Sequence, residues 1–168
     1  MRQRVATPAD AAAIATIYNQ GIEDRIATFE THLRNTQDIE QWFDGIHPII
    51  VIEQEGKIIA YASTSRYRDR PCYAGIAEFS VYTARAWRHY GAGRLAMEGL
   101  LLAAGSAGFW KLVSRVLIEN IASRALLRKL GFREVGIYEK HGQLDGVWHD
   151  VVIVERLLSK SLINTPFG

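Results

Sequence analysis

The sequence predicts a mixed α/β fold, one central sheet that is mostly antiparallel and flanked by about four helices. Three observations carry that prediction. Some segments repeat apolar residues at helical spacing while others are β-branched runs; the two kinds are interleaved without a strict βαβ alternation; and turn residues join neighbouring runs directly. Directly joined runs make antiparallel hairpins, so only one or two helix-crossed parallel pairs are expected, and a doubly wound sheet is not. With 168 residues and 48% apolar composition the chain can bury one core, and a single domain over 1–168 is expected.

Taken in order, RVAT reads as a short strand. TPADAAAIATIYNQGIEDR opens with Thr7 as N-cap, Pro8 at the first helical position and Asp10 at the third, and carries Ile14, Ile17, Tyr18 and Ile22 at helical spacing. After the polar connection ATFETHLRN, a short helix is expected near TQDIEQWFDG. HPIIVIEQEGKIIAYASTSRY then holds two β-branched runs around EQEG, a hairpin with Gly56 in its turn. Beyond the loop RDRPCYAG comes the strand AGIAEFSVY, and a third helix is expected from about Gly91 to Ala107, stopped by Gly105 and Gly108. KLVSRVLI is a strand, ENIASRALLRKLGF a helix begun at Asn120 and ended at Gly131, and FREVGIYEK with WHDVVIVERLL a closing pair joined by HGQLDG. The tail SKSLINTPFG (159–168) has no periodic pattern and is expected to be loosely held.

Charge and cysteine content exclude several classes. A formal net charge of +2, with basic and acidic residues interleaved, gives no footprint for nucleic acid or an anionic membrane. One cysteine, Cys72, rules out an internal disulfide and suits a reducing cytoplasm. The first residues lack the layout of a signal peptide, and no apolar run approaches the ~20 residues that cross a bilayer. The histidines His32, His47, His89, His141 and His149 form no H-x-x-x-H pair, so no metal is expected. WHD at 148–150 lacks a G-x-S-x-G partner, so no hydrolase triad is expected; Trp148 and the run 151–154 read instead as a buried closing strand.

RAWRHYGAGRLA carries the chemistry. Gly91 and Gly93 suggest a backbone loop drawn round an anion, and GAGRLA fits the loose dinucleotide fingerprint. A dinucleotide turn should follow its strand at once and be answered by an acid ~20 residues later. Here the eight residues TARAWRHY intervene, and Val113 stands where the acid should be. The alternative is a longer loop whose successive amides hold a pyrophosphate at the positive end of a helix, with the glycines leaving room and Arg88 and Arg94 adding charge.

Arg88-x-x-Gly91-x-Gly93 after FSVY, then Asn120-x-x-Ser123 and Leu130-Gly131-Phe132, resembles the acetyl-CoA site of the GNAT superfamily of N-acetyltransferases over roughly residues 76–135. IYNQGIEDRIATFET, RPCYAGIAEFSVY and HGQLDGVWHDVVIVERLL are similar to its phosphinothricin acetyltransferases, and most to their arsinothricin branch. The resemblance implies acetyl-CoA as cosubstrate, with Arg88, His89, Tyr90, Gly91, Ala92, Gly93 and Arg94 as the pyrophosphate cradle. It implies backbone contacts at Val81 and Thr83, a second wall at Asn120 and Ser123, a homodimer, and a role in detoxification. Phe29, Arg70 and Tyr73 match positions that line the acceptor pocket.

Acyl transfer to an α-amine, whose pKa is ~8, requires a group to take its proton. Glu78, set in the apolar stretch GIAEFSVY, is the candidate: burial is expected there and strengthens a carboxylate's hold on a proton. Glu78 facing solvent or paired with an arginine is the plainer alternative. A backbone N–H at Val81, freed by a local irregularity, is expected to meet the thioester oxygen as it gains charge. Where many members of the family place a Tyr acid, this chain has Leu127, so no acid is assigned. Arg68, Arg70 and Tyr73 offer two guanidinium forks and a phenol to a carboxylate and a second, tetrahedral anion. Methionine sulfoximine or sulfone is the alternative acceptor, and a non-catalytic acyl-CoA sensor the alternative class.

Overall fold

The chain runs β1 (Arg2–Val5), α1 (Ala11–Asp24), α2 (Thr36–Glu40), β2 (Ile49–Gln54), β3 (Lys57–Arg66), β4 (Ile76–Thr83), α3 (Ala92–Ser106), β5 (Lys111–Leu117), α4 (Ile121–Lys129), β6 (Arg133–Leu144) and β7 (Val147–Leu157). These elements come from a computed structural model that describes residues 1–158; the tail expected to be loose lies outside the described residues. The strands form one sheet in the order β1-β2-β3-β4-β5-β7-β6. Every neighbouring pair is antiparallel except β4 and β5, which α3 joins as a parallel crossover. The mixed α/β expectation holds, with one parallel pair among the described residues.

Local chemistry sets the element ends. The Thr7 amide donates to Asp10 Oδ2 at 2.8 Å while Arg4 grips the same carboxylate with two N–H groups, so Pro8–Asp10 forms a 3-10 turn that leads into α1. Glu55 and Gly56 both take positive φ, 51° and 75°, the geometry of a two-residue hairpin whose twist suits its strands. Asp145 (51°) and Gly146 (78°) do the same, which corrects the expected closing loop. HGQL belongs to β6, and the turn is Asp-Gly alone. The expected stop of α3 also moves: Gly105 is helical, and Gly108, at φ 94°, ends it.

Because side chains alternate across a strand, the sheet buries two cores. Ile50, Ile52, Ala60 and Ala62 pack with Ala92, Ala96, Met97 and Leu100 of α3, and Leu127 of α4 joins that side. Val51 and Tyr61 turn the other way, onto Ile14 and Ile17 of α1 and Ile39 of α2. In β7, Val151, Val152 and Val154 are buried as expected, whereas Trp148 is 54% exposed: it lies toward the free end of the terminal hairpin, on a pair of strands that no helix covers along its full length.

Candidate active site

β4 and β5 share only three ladder rows, Ile76 with Lys111, Ala77 with Leu112 and Glu78 with Val113. Beyond them the strands part, β4 staying on β3 as far as Thr83 and β5 on β7 as far as Leu117. Residues of a strand turn their N–H and C=O groups alternately to its two edges. The Ala84 amide donates to Ile59 of β3, and Ser114 Oγ reaches across to the carbonyl of Phe79 at 2.9 Å. Val81 and Thr83 therefore address the open side, where a cleft is lined by Phe79, Val81, Ser114, Asn120, Ser123 and Leu127. The strand irregularity expected at Val81 is not found, since the register with β3 is continuous; the parting of β4 from β5 frees the Val81 amide instead.

The glycine loop meets the end of this cleft. Gly91, at φ 88°, precedes α3, and a Cβ there would meet nothing within 4 Å; His89 also takes a positive φ, 70°. A Cβ on Gly93 would instead lie 3.1 Å from Thr83 Oγ1, 3.7 Å from Leu126 Cδ2 and 3.8 Å from Val81 Cγ2. The two glycines thus serve different ends: Gly91 gives the loop its conformation and leaves its amides open, while Gly93 lets α3 close on β4 and α4. An open run of amides at the positive end of a 15-residue helix fits a pyrophosphate. Arg88 Nη1 holds Asp24 Oδ2 at 2.6 Å and Arg94 Nε holds Glu98 at 2.8 Å, so both expected cations are engaged with carboxylates. The Asp24 carboxyl lies below the usual carboxylate range, mainly through Arg85, then Arg88. Tyr90 is 70% exposed and Ala92 is buried at the start of α3. Asn120 accepts the Ser123 amide at 3.2 Å as N-cap of α4, and the buried Leu127 follows one turn on, an apolar wall.

Glu78 opens onto a second cleft of about 240 Å³ on the other face of the sheet, shared with Arg68, Arg115, Lys111, Tyr138 and His141. The burial expected of Glu78 is not found. Its side chain is 31% exposed and its carboxylate stands 3.1 Å from Arg115 Nη2, because the helices α1 and α2 pack farther along the sheet and β5 places a cation opposite. The carboxylate can therefore be reached from solvent.

The four expected acceptor residues do not converge on one spot. Arg68 lines the Glu78 cleft, its guanidinium 4.9 Å from the Tyr67 ring centroid. Arg70 precedes the short turn Pro71–Tyr73 and is exposed, and Tyr73 packs edge-on to Tyr67 at 5.8 Å. Phe29 lies against Gly142 of β6, where a Cβ would sit 2.9 Å from its ring, with His149 at 6.3 Å. Sequence reasoning missed Arg115, Lys111, Tyr138 and His141. The last two are delivered by a shift in register between Tyr138 and Gly142, where Lys140 takes φ 47° and its amide is held by Asp150 at 2.7 Å. The His and glycines of HGQLDG read as a turn, which hid the bulge.

Among the described residues, no group of three or more His, Cys, Asp or Glu side chains is placed to hold a metal, and no helix is long and apolar enough to cross a membrane. Residues 14–132 match the model of the acetyltransferase (GNAT) family. The chain is 30% identical over 159 residues to the phosphinothricin N-acetyltransferase of Streptomyces viridochromogenes, covering 91% of this chain and 85% of that one. It is 28% identical over 164 residues to the L-methionine sulfoximine/L-methionine sulfone acetyltransferase of Salmonella typhimurium, covering 95% and 96%. The crystal structure of a GNAT superfamily phosphinothricin acetyltransferase from Sinorhizobium meliloti in complex with acetyl-CoA superposes with a TM-score of 0.90 at 27% identity, covering 99% of this chain and 93% of that one.

Proposed function

This chain belongs to the acetyltransferase (GNAT) family, and from that premise we propose that it acetylates the α-amine of a small amino acid with an anionic tetrahedral side-chain group, of arsinothricin or phosphinothricin type, thereby detoxifying it. It is an acetyl-CoA-dependent N-acetyltransferase of amino-acid analogues, as its relatives are. The observation that carries the finer reading is the parting of β4 from β5 at Glu78. It opens a cofactor cleft on one side and leaves the Glu78 carboxylate in a cleft with Arg68 on the other.

In this reading Gly91 to Arg94 hold the pyrophosphate, Asn120 and Ser123 form the far wall, and the edge groups of Val81 and Thr83 align the pantetheine. Acetyl-CoA supplies the activated acyl group. Glu78 takes the proton of the acceptor amine, and the Val81 N–H faces the thioester oxygen as charge grows there. Most of the acceleration comes from holding the amine against the acyl carbon. Leu127 offers no proton, and a thiolate with a pKa of ~8.5 departs without one. Arg68, with Arg70, Tyr73 and Phe29 farther out, faces the acceptor's anionic groups. Methionine sulfoximine or sulfone is a second acceptor of similar shape, supported by the names of relatives.

A homodimer in the cytoplasm belongs to the same proposal. β6 is an edge strand, and Ile137, Tyr138, Val147 and Trp148, on the two faces of the β6–β7 pair, are 52–58% exposed, so that a second copy docking along this edge would cover apolar side chains. Sedimentation at micromolar concentration should give twice the chain mass, and a monomer there refutes the dimer. The functional test is a panel of amino acids assayed with acetyl-CoA and a thiol reagent. Arsinothricin or phosphinothricin should lead the panel; release of CoA with neither of them ends this reading.

A further inference from the structure

Glu78 and Val113 form the last row that β4 shares with β5, and Arg115 follows two residues along β5. Side chains two apart on a strand share a face, so Arg115 stands on the face of Glu78. The strands have begun to part there, and the Arg115 side chain leans back across the gap to place Nη2 3.1 Å from Glu78 Oε1. Ser114 and Arg115 line both the cleft between β4 and β5 and the cleft that holds Glu78, so this ion pair sits where the two meet. Both partners are open to solvent, Arg115 with 43% of its side chain exposed and Glu78 with 31%. A guanidinium has five N–H groups, and the bond to Glu78 is the one that Arg115 makes among the described residues.

We propose that the Glu78–Arg115 pair holds the α-amino-acid head of the acceptor, the amine on Glu78 and the α-carboxylate on the free N–H groups of Arg115. The inference rests on the reading of the chain as an amino-acid N-acetyltransferase and gives Arg115 a binding role in it. From standard bond lengths the amine nitrogen and the nearer carboxylate oxygen of an amino acid lie about 3 Å apart, which matches the 3.1 Å between Glu78 Oε1 and Arg115 Nη2. Laid against the pair in the opposite sense, the head completes a ring of four charges that alternate in sign, each beside two of the opposite kind. The guanidinium adds charge-assisted hydrogen bonds to the carboxylate. An amide in place of that carboxylate fills only half of the ring.

The other cations of the cleft divide the work. Lys111 Nζ is 2.9 Å from Glu155 Oε2, a carboxylate that Arg133 also holds, so that charge is already spent. Arg68 lies over the Tyr67 ring and meets no carboxylate among the described residues. An acceptor with two anionic groups needs two cations: Arg115, beside the base, takes the group next to the amine, and Arg68 is left for the side-chain anion.

The test crosses two ligands with the wild type and its Arg115 variants. Calorimetric titration of L-phosphinothricin and of its α-carboxamide into CoA-saturated wild type should show the acid binding at least ~10-fold tighter than the amide. In Arg115→Met that preference should fall to within about twofold, and Arg115→Lys, which keeps a charge without the fork, should recover part of it. The ratio compares two ligands on one protein, so it does not depend on how much of a variant folds. A loss of affinity shared equally by acid and amide would make Arg115 a prop for Glu78 and overturn the proposal. A preference that survives Arg115→Met overturns it too, as does the absence of saturable binding of the acid to wild type. Turnover with acetyl-CoA is then measured on the same proteins. Acid-selective binding that depends on Arg115, with no acetylation of phosphinothricin, would sink the transferase reading and leave the binding role standing; acetylation whose acid preference Arg115→Met leaves intact would do the reverse.

Discussion

The two loops that flank β4 are built by different means. The loop after it, 84–91, is fixed by backbone conformation: His89 and Gly91 at positive φ, a helix beginning at Ala92, and Arg85 and Arg88 both tied to Asp24 of α1. The loop before it, 67–75, has a single short turn, two tyrosines packed edge to face and arginines of which Arg68 and Arg70 meet no carboxylate among the described residues. A ligand common to a whole family can be held by amides, whose positions any side chains tolerate; an acceptor that varies must be read by side chains. Substitutions should therefore separate the two ends of the strand.

The largest expected effect falls between the loops. Glu78→Gln should lower kcat at least ~10²-fold while CoA binding, followed by calorimetry, is kept; unchanged turnover removes Glu78 as the base. At the cofactor end, Gly91→Ala forces a Cβ into a left-handed conformation, costing about 1–2 kcal/mol, and should raise KM for acetyl-CoA about tenfold with KM for the acceptor unchanged. An equal rise in both constants would erase the contrast between the loops. At the acceptor end, Arg70→Ala should raise KM for a phosphinate or arsinate amino acid about tenfold and leave acetyl-CoA within twofold, since a charge-assisted hydrogen bond is worth about 1.5–3 kcal/mol. Equal effects on both substrates would make that loop structural.

The smallest effect concerns the segment just after α2. Partial burial alone would raise the Asp44 carboxyl, but the amides of Ile46 and His47 and the His47 ring outweigh it and hold it at about 2. A folded value below the unfolded ~3.9 means that this contribution is complete above pH ~4 and is lost as pH falls toward 2. Asp44 is 41% exposed, so solvent screening limits the contribution to about 1 kcal/mol. Asp44→Asn should melt slightly lower than wild type at neutral pH, and the gap should close between pH 4 and 2. A gap that persists at pH 2 would assign the loss to packing.

Legibility followed the same divide. The hairpin at Glu55-Gly56, the caps at Thr7 and Asn120 and the stop at Gly131 were readable because each depends on neighbours in sequence. The glycine loop before α3 was readable as a loop through its spacing from the strand and from Asn120. Glu78 was legible as a residue but not in its setting: burial was expected from GIAEFSVY, yet Arg115 of β5 stands against it from 37 positions away. His141 and Tyr138 were hidden because a bulge is a property of two paired strands, visible only once β7 has fixed the register of β6.

By itself the sequence determined the fold class, the family resemblance and the place of the glycine loop before α3, all of which depend on periodicity, turn chemistry and short spacings along one chain. The tertiary structure decided that Gly93 serves packing while Gly91 serves the loop, that Arg88 is held by α1, and that the Val81 amide is freed by two strands parting and not by a flaw in one. It also decided that β4 has an arginine-lined cleft beside Glu78. The physical reason is distance along the chain: β4, β5, β6 and α1 bring together side chains that no local rule relates, and the setting of Glu78 depends on what those neighbours leave open.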